Sequence, residues 1–280
     1  MGHSVERLAW REEGGLLFLD CGLRIADCGL QIADCRLQER HRGMGPKRSP
    51  DQATTGPSDH RTKRPSDHPT IRPPDHPTIR AVVFDFGGVL LRTEDRSGRR
   101  RWEARLGLPA GALDKVVFES EASRRAMVGK APDEAVWEHV ATTFGLDADE
   151  IRRFQHDFWS GDRLDEELVR FLRSLRPRYK TAILSNAWPN ARYVFGQLFG
   201  LDDAVDLMII SAEEGVAKPD PRIYQIALRR LGVRPEEMVF VDDMPENVRA
   251  AQALGIRAMR FTDTAQTLAW VRSLLNERKG

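Results

Sequence analysis

An α/β fold, a doubly wound parallel sheet with helices on both faces, is predicted for residues 80–280 by three observations. Short, continuous apolar runs recur at 80–86, 180–186, 207–211, 238–242 and 257–262. Runs of this kind are strands buried on both faces, as parallel sheets require. Between the later runs lie helical stretches at 190–198, 221–232, 245–254 and 264–277, in which Ile223, Ile226, Ala227 and Leu231 keep the three-four spacing of a core-facing stripe. Strand and helix then alternate, the order of a sheet wound with crossover helices.

The first 79 residues follow a different logic. Residues 20–38 read DCGLRIA, DCGLQIA, DCRLQ, and residues 57–80 read PSDHRTKR, PSDHPTIR, PPDHPTIR. A heptad coiled coil would set Ile25, Cys28, Ile32 and Cys35 along one face, but a glycine in two copies costs about 1 kcal/mol each. Cys21, Cys28 and Cys35 lack the close C-x-x-C pairs of zinc sites. The octads hold too little apolar surface to offset the entropy of ordering, so a disordered, repeat-containing tail is expected over 1–79, its histidines by-products of the repeat. Met44 or a codon near Ile79 is a candidate functional start. The run GGLLFLDCGL is too short and too acidic for a signal peptide.

The first strand, AVVFDFGGVLL at 81–91, carries one carboxylate, Asp85, and then Gly87 and Gly88. An unpaired buried carboxylate is costly, so it requires a use. Two glycines after a strand let the backbone turn sharply and bring its N–H groups close to an anion. Residues 93–177 then interrupt the alternation with helical patterns, and a second domain is expected there, with 80–92 and 178–280 forming the core. The second strand ends in Ser185 and Asn186, the fourth in Asp242 and Asp243, and Lys218 stands in the loop before the helix opened by Pro221. Doubly wound sheets bind their ligands at the carboxyl ends of the strands, where all of these residues fall.

The chemistry that needs this set is phosphoryl transfer through an aspartyl intermediate. Asp85 attacks phosphorus. A divalent ion, Mg²⁺, is held by Asp85, Asp243 and the carbonyl of Gly87. Ser185 donates to a phosphoryl oxygen, Lys218 supplies compensating positive charge, and the N–H groups of Phe86, Gly87 and Gly88 form an anion cradle. Asn186 completes the phosphate-binding set. Trp188, directly after SNA, is the aromatic side chain placed to touch substrate.

These residues resemble the four motifs of the haloacid dehalogenase superfamily: VVFDFGGVL, ILSN, AKPDPRIY and VFVDDMPENVRAAQALG, in that order over 81–280. The resemblance implies a Rossmann-like core, Asp85 as nucleophile, Ser185 and Lys218 on the phosphoryl group, Asp243 as principal acidic metal ligand with Asp242 beside it, and in most branches a Mg²⁺-dependent phosphatase. The insertion at 93–177 resembles the family's first type of helical cap, with hinges at 92–96 and 161–165. One position departs from the motif. The second aspartate, two residues after the nucleophile, is Gly87 here. Positioned acid/base help is worth about 10²- to 10⁴-fold. A 2-haloacid dehalogenase, which attacks carbon without a metal, also lacks that aspartate and is the alternative; a non-catalytic binding protein is the second. Adjacent Asp242 and Asp243 favour metal and phosphate.

The expected substrate is a small phosphorylated metabolite such as a sugar phosphate. Within the cap, SGRRR at 97–101, Arg124 and Arg125 are read as a solvated face, and Trp102, Trp137 and Trp159 as cap core. His139 and His156 carry no motif, and Glu213 or Glu214 is placed to order Lys218 by a salt bridge. A net charge of +1 over 280 residues argues against a nucleic-acid partner, and no apolar run approaches the roughly 20 residues of a membrane span. All three cysteines lie in the tail, which suits a cytoplasmic location.

Overall fold

The computed structural model describes residues 10–13, 16–19 and 78–276. In the first part, β1 (Trp10–Glu13) and β2 (Leu16–Leu19) form an antiparallel pair with Trp10 opposite Leu19. The heptads, and the octads up to residue 77, lie outside the described residues, as does the rest of the expected tail.

The second part runs through β3 (Ala81–Phe84), β4 (Leu91–Thr93), α1 (Ser97–Arg105), α2 (Ala112–Phe118), α3 (Glu121–Ala126), α4 (Glu134–Phe144) and α5 (Ala148–Trp159). It continues with β5 (Asp162–Leu164), α6 (Glu166–Leu175), β6 (Lys180–Ser185), α7 (Ala191–Tyr193), β7 (Leu207–Ile210) and α8 (Ser211–Glu214). The chain ends with α9 (Pro221–Leu231), β8 (Met238–Asp242), α10 (Pro245–Ala253), β9 (Arg257–Arg260) and α11 (Thr264–Asn276). Five strands form one parallel sheet in the order β7-β6-β3-β8-β9, with Ala81 opposite both Lys180 and Met238. The strand bearing Asp85 is therefore central.

Alternation along β3 explains the two faces. Val82 and Phe84 join Ile183, Val239 and Val241 in one apolar cluster, which α6 covers with Leu168, Phe171 and Leu172 and α11 with Leu268 and Val271. Ala81 and Val83 point the other way, to Leu184, Phe240 and the Ile223, Tyr224 and Ala227 face of α9. Fully burying one such aliphatic side chain stabilises the fold by about 1.5–3 kcal/mol. The predicted helix over 190–198 begins as α7 and passes into a wider turn at Val194–Leu198.

The chain leaves the sheet through β4 and returns through β5, which pair antiparallel with Leu91 opposite Leu164. Between them α1 to α5 build their own core of Trp102, Leu113, Val117, Val136, Val140, Phe154 and Phe158. The insertion expected over 93–177 ends earlier in packing terms. Leu168, Val169, Leu172 and Leu175 of α6 lie in the sheet's cluster, not the insert's. Asp165 starts that helix by accepting from the N–H groups of Glu167 and Leu168. Among the described residues no helix is long and apolar enough to cross a membrane.

Candidate active site

The ladder of β3 continues one residue past the strand, where the N–H of Asp85 donates to the carbonyl of Val241 at 2.9 Å. This fixes the Asp85 carboxylate at the carboxyl edge of the sheet. Its Oδ1 accepts from the N–H of Phe86 at 2.7 Å, and its Oδ2 lies 2.9 Å from Lys218 Nζ. Lys218 is buried, and its ammonium also donates to Asp242 Oδ2 at 2.7 Å and to the Leu184 carbonyl at 2.8 Å. Three donors thus meet three acceptors, which is the condition for burying an ammonium group.

Asn186 holds the lysine in place from its backbone. The Asn186 amide donates to the Lys218 carbonyl at 2.8 Å and accepts from the Lys218 N–H at 2.7 Å. Asp242 is fully buried, and besides Lys218 it accepts from the N–H of Met244 at 2.8 Å and from Asn247 Nδ2 at 2.9 Å. Asn247 was not singled out in the sequence. It sits in the first turn of α10, where side chains lean back toward the helix start and hence toward the strand end, a signal that the spacing from Asp242 contains.

Burial pushes the Asp85 carboxyl up to about 7, with Lys218 pulling the other way and Asp242 and Asp243 adding to the rise. Asp243 is raised as well, by burial and by the charge of Asp242. Burial alone would lower Lys218, but the carboxylates of Asp85 and Asp242 overcome it and hold the ammonium above its ordinary range. Asp85, Asp242 and Asp243 each bring a carboxylate oxygen within 4.8 Å of the others. Mutually repelling hard oxygen donors of this kind fit a divalent cation such as Mg²⁺. Asp242 already spends its oxygens on Lys218, Met244 and Asn247, so Asp85 and Asp243 are the better placed pair.

The glycines answer the question raised by the first motif. Gly88 has φ +78°, and a Cβ there would fall against the Asp243 carboxylate, well inside van der Waals distance. Only a residue without a side chain lets Asp243 approach the loop. Gly88→Ala is therefore expected to lower stability by about 1–2 kcal/mol through the left-handed backbone and to weaken divalent-ion binding by displacing Asp243. Thermal unfolding with and without Mg²⁺ checks both. Within the expected anion cradle, the Phe86 N–H bonds to Asp85 and the Gly88 N–H donates to the Leu91 carbonyl at 2.9 Å. Gly87 is exposed, and a Cβ there would meet nothing within 4 Å.

Ser185 ends β6, 3% exposed, on the strand beside Asp85. Trp188 reaches toward the insert. Its ring packs against the insert's core, 5.6 Å from Trp137, and its Nε1 donates to Ser123 Oγ in α3 at 3.0 Å. Glu213 and Glu214 do not reach Lys218 either. Each finds an arginine instead, Glu213 pairing with Arg192 and Glu214 with Arg230, because Lys218 turns inward beneath the sheet edge. The residues of the expected hinges form a polar network: Arg92 bonds Asp165 at 2.8 Å, Asp165 also accepts from Thr264, and Thr93 bonds Asp162 at 2.6 Å. Arg99, expected on a solvated face, is 4% exposed and joins Asp114 and Asp162.

The doubly wound sheet, with its helical insert after the first strand, thus sets a lysine-bound carboxylate beside two further carboxylates at one edge. Residues 79–255 match the model of the haloacid dehalogenase-like hydrolases, and the chain belongs to that family. It is 29% identical to mouse acyl-CoA dehydrogenase family member 10 over 193 residues, 65% of this chain and 18% of that protein. It is 28% identical to the sesquiterpene phosphatase astK of Aspergillus oryzae over 200 residues, 70% of this chain and 96% of that one. Among solved structures, a predicted HAD-like hydrolase from Porphyromonas gingivalis superposes with a TM-score of 0.60 at 25% identity, covering 72% of this chain and all of that one. An L-2-haloacid dehalogenase from Xanthobacter autotrophicus, solved with chloropropionic acid covalently bound, gives 0.50 at 26% identity, over 72% of this chain and 85% of that one.

Proposed function

We propose that this hydrolase is a Mg²⁺-dependent phosphatase acting on a small phosphate monoester through an aspartyl-phosphate. The observation that carries the reading is the central carboxylate of Asp85, held 2.9 Å from a buried lysine with Asp242 and Asp243 beside it. An Asp85 oxygen attacks phosphorus, the P–O bond to the alcohol breaks, and the leaving oxygen takes a proton from water, since Gly87 offers no acid. Water then attacks the phosphorus of the acyl phosphate and releases inorganic phosphate, regenerating the carboxylate. Ser185 donates to a phosphoryl oxygen, Lys218 compensates the negative charge, and Asn186 fixes the lysine's backbone. Asp85, Asp243 and the Gly87 carbonyl would hold a Mg²⁺ ion, whose chemistry is to neutralise phosphoryl oxygens. The full-length match to a sesquiterpene phosphatase supports phosphorus as the electrophile.

Hydrolysis of an aryl phosphate is expected with Mg²⁺, to stop with chelator, and to return when Mg²⁺ is restored. Gly87 supports a second reading, a metal-independent 2-haloacid dehalogenase, since attack on carbon expels a halide that needs no proton. Chelator-resistant halide release from 2-chloropropionate, without phosphate release, would replace the first reading with the second. The open space at Gly87 allows a further check. Gly87→Asp should raise kcat about tenfold or more for an alkyl phosphate, whose leaving oxygen needs a proton, and much less for an aryl phosphate.

A further inference from the structure

The carboxylates of the acidic centre are not held alike. Asp85 is bonded by Lys218 and by the Phe86 N–H, and Asp242 by Lys218, by Asn247 and by the Met244 N–H. Asp243 differs. Among the described residues no other residue donates a hydrogen bond to its carboxylate. The missing Cβ of Gly88 gives that carboxylate the room it occupies, but room does not set a direction. The direction is left to the backbone that carries it.

That backbone lies between two elements and is bonded by neither. The sheet ends with the Phe261 N–H donating to the Asp242 carbonyl at 2.9 Å, and α10 begins its ladder at the Met244 carbonyl, which accepts from Asn247 and Val248. Pro245, the first residue of α10, has no N–H to offer. The Asp243 carbonyl between them needs a donor from elsewhere. Arg260 supplies it, its Nε lying 3.0 Å from that oxygen. Arg260 closes β9 and stands opposite Asp242 in the register, so the strand itself brings the guanidinium to this carbonyl. This is the one hydrogen bond that Arg260 makes among the described residues, and no carboxylate there pairs with it.

We propose that Arg260 is a positioning residue for divalent-ion binding: by holding the Asp243 carbonyl it fixes the peptide from which the Asp243 carboxylate projects toward Asp85. The inference rests on the Mg²⁺ reading and adds to it a residue outside the four motifs. The sign of the effect separates position from charge. A guanidinium beside a cation site repels the ion, so on charge alone the loss of Arg260 would tighten Mg²⁺ binding. Loss of a positioning contact loosens it, since outer partners that orient a ligand are worth about 10- to 100-fold in metal affinity.

The test is calorimetric titration of Mg²⁺ into the full chain, without substrate, for the parent, Arg260→Gln and Arg260→Met. Both replacements remove the charge and have the same length. Glutamine puts an amide nitrogen where Nε stood; methionine puts a methyl group there. The Mg²⁺ Kd of Arg260→Met is expected about tenfold above that of Arg260→Gln, with Arg260→Gln at or below the parent. In chelator the two variants should unfold alike, because Arg260 is exposed and no ion is bound. The Mg²⁺ concentration giving half-maximal hydrolysis of an aryl phosphate should move in the same ratio, which a misfolded fraction would leave unmoved. Equal Kd values for the two variants, or tighter binding by Arg260→Met, would overturn the inference and leave the Mg²⁺ reading intact. A parent chain that binds no Mg²⁺ would reject both. The expected Kd ratio without hydrolysis of any phosphate ester would keep the role of Arg260 and reject the phosphatase.

Discussion

Asp85→Asn is expected to lower phosphate release from an aryl ester by at least about 10³-fold while leaving the fold intact, because the substitution removes the attacking oxygen and little else. The amide keeps the shape of the carboxylate and one carbonyl oxygen for Lys218. It also removes a negative charge from a cluster in which burial, with the charges of Asp242 and Asp243 adding to it, already pushes Asp85 up to about 7. Lys218 keeps its bond to Asp242 and its bond to the Leu184 carbonyl. Stability should therefore be unchanged or higher. Phosphate release and a denaturant titration, measured on the same preparation, read the two quantities apart. Activity within tenfold of the parent would assign the nucleophile elsewhere.

Lys218→Met is expected to fail in the opposite sense, losing stability together with activity. It leaves the carboxylates of Asp85 and Asp242 buried at one site with the cation between them removed. Breaking a buried ion pair by deleting one partner costs about 3–5 kcal/mol. The sign of the pH dependence follows from Asp85. Its carboxyl titrates at about 7 in the folded protein, above the ordinary 3.8, so ionisation opposes folding and its charge is present in the native state only above about 7. The variant's deficit should be larger at pH 8 than at pH 5, read from urea unfolding in the presence of chelator. A deficit independent of pH would place the lysine's contribution in packing alone.

Much of the fold was legible in the sequence because the parallel strands are continuous apolar runs, and all five predicted runs contain strands of the sheet. The acidic centre was legible for a related reason. A charged residue at the end of such a run has to point out of the sheet's carboxyl edge, so Asp85, Asp242 and Asp243 converge once the strand order places β8 beside β3. Lys218 came from its motif rather than from any periodicity. What stayed hidden depends on which surfaces meet. The amphipathic stripe of α6 reads the same whether it covers the insert or the sheet, and only packing sends Leu168 and Leu172 to the latter. Glu213 and Glu214 are close to Lys218 in sequence, but their arginines, Arg192 and Arg230, come from neighbouring elements. Arg99 looks like one member of a charged run, and its burial follows from Asp114 and Asp162, brought to it by the fold.

The position of Trp188 has a consequence for how the insert and the sheet hold together. The indole belongs to the sheet domain by sequence and to the insert's apolar core by packing. An excised stretch of α1 to α5 would keep its helices and lose one wall of its interior. The two halves are thus one cooperative unit at that residue, and a swing of the insert about β4 and β5 would have to withdraw a plug from the insert's own core. With the other five tryptophans replaced by phenylalanine, the emission of that indole would report the swing, shifting as Ser123 moves away from it.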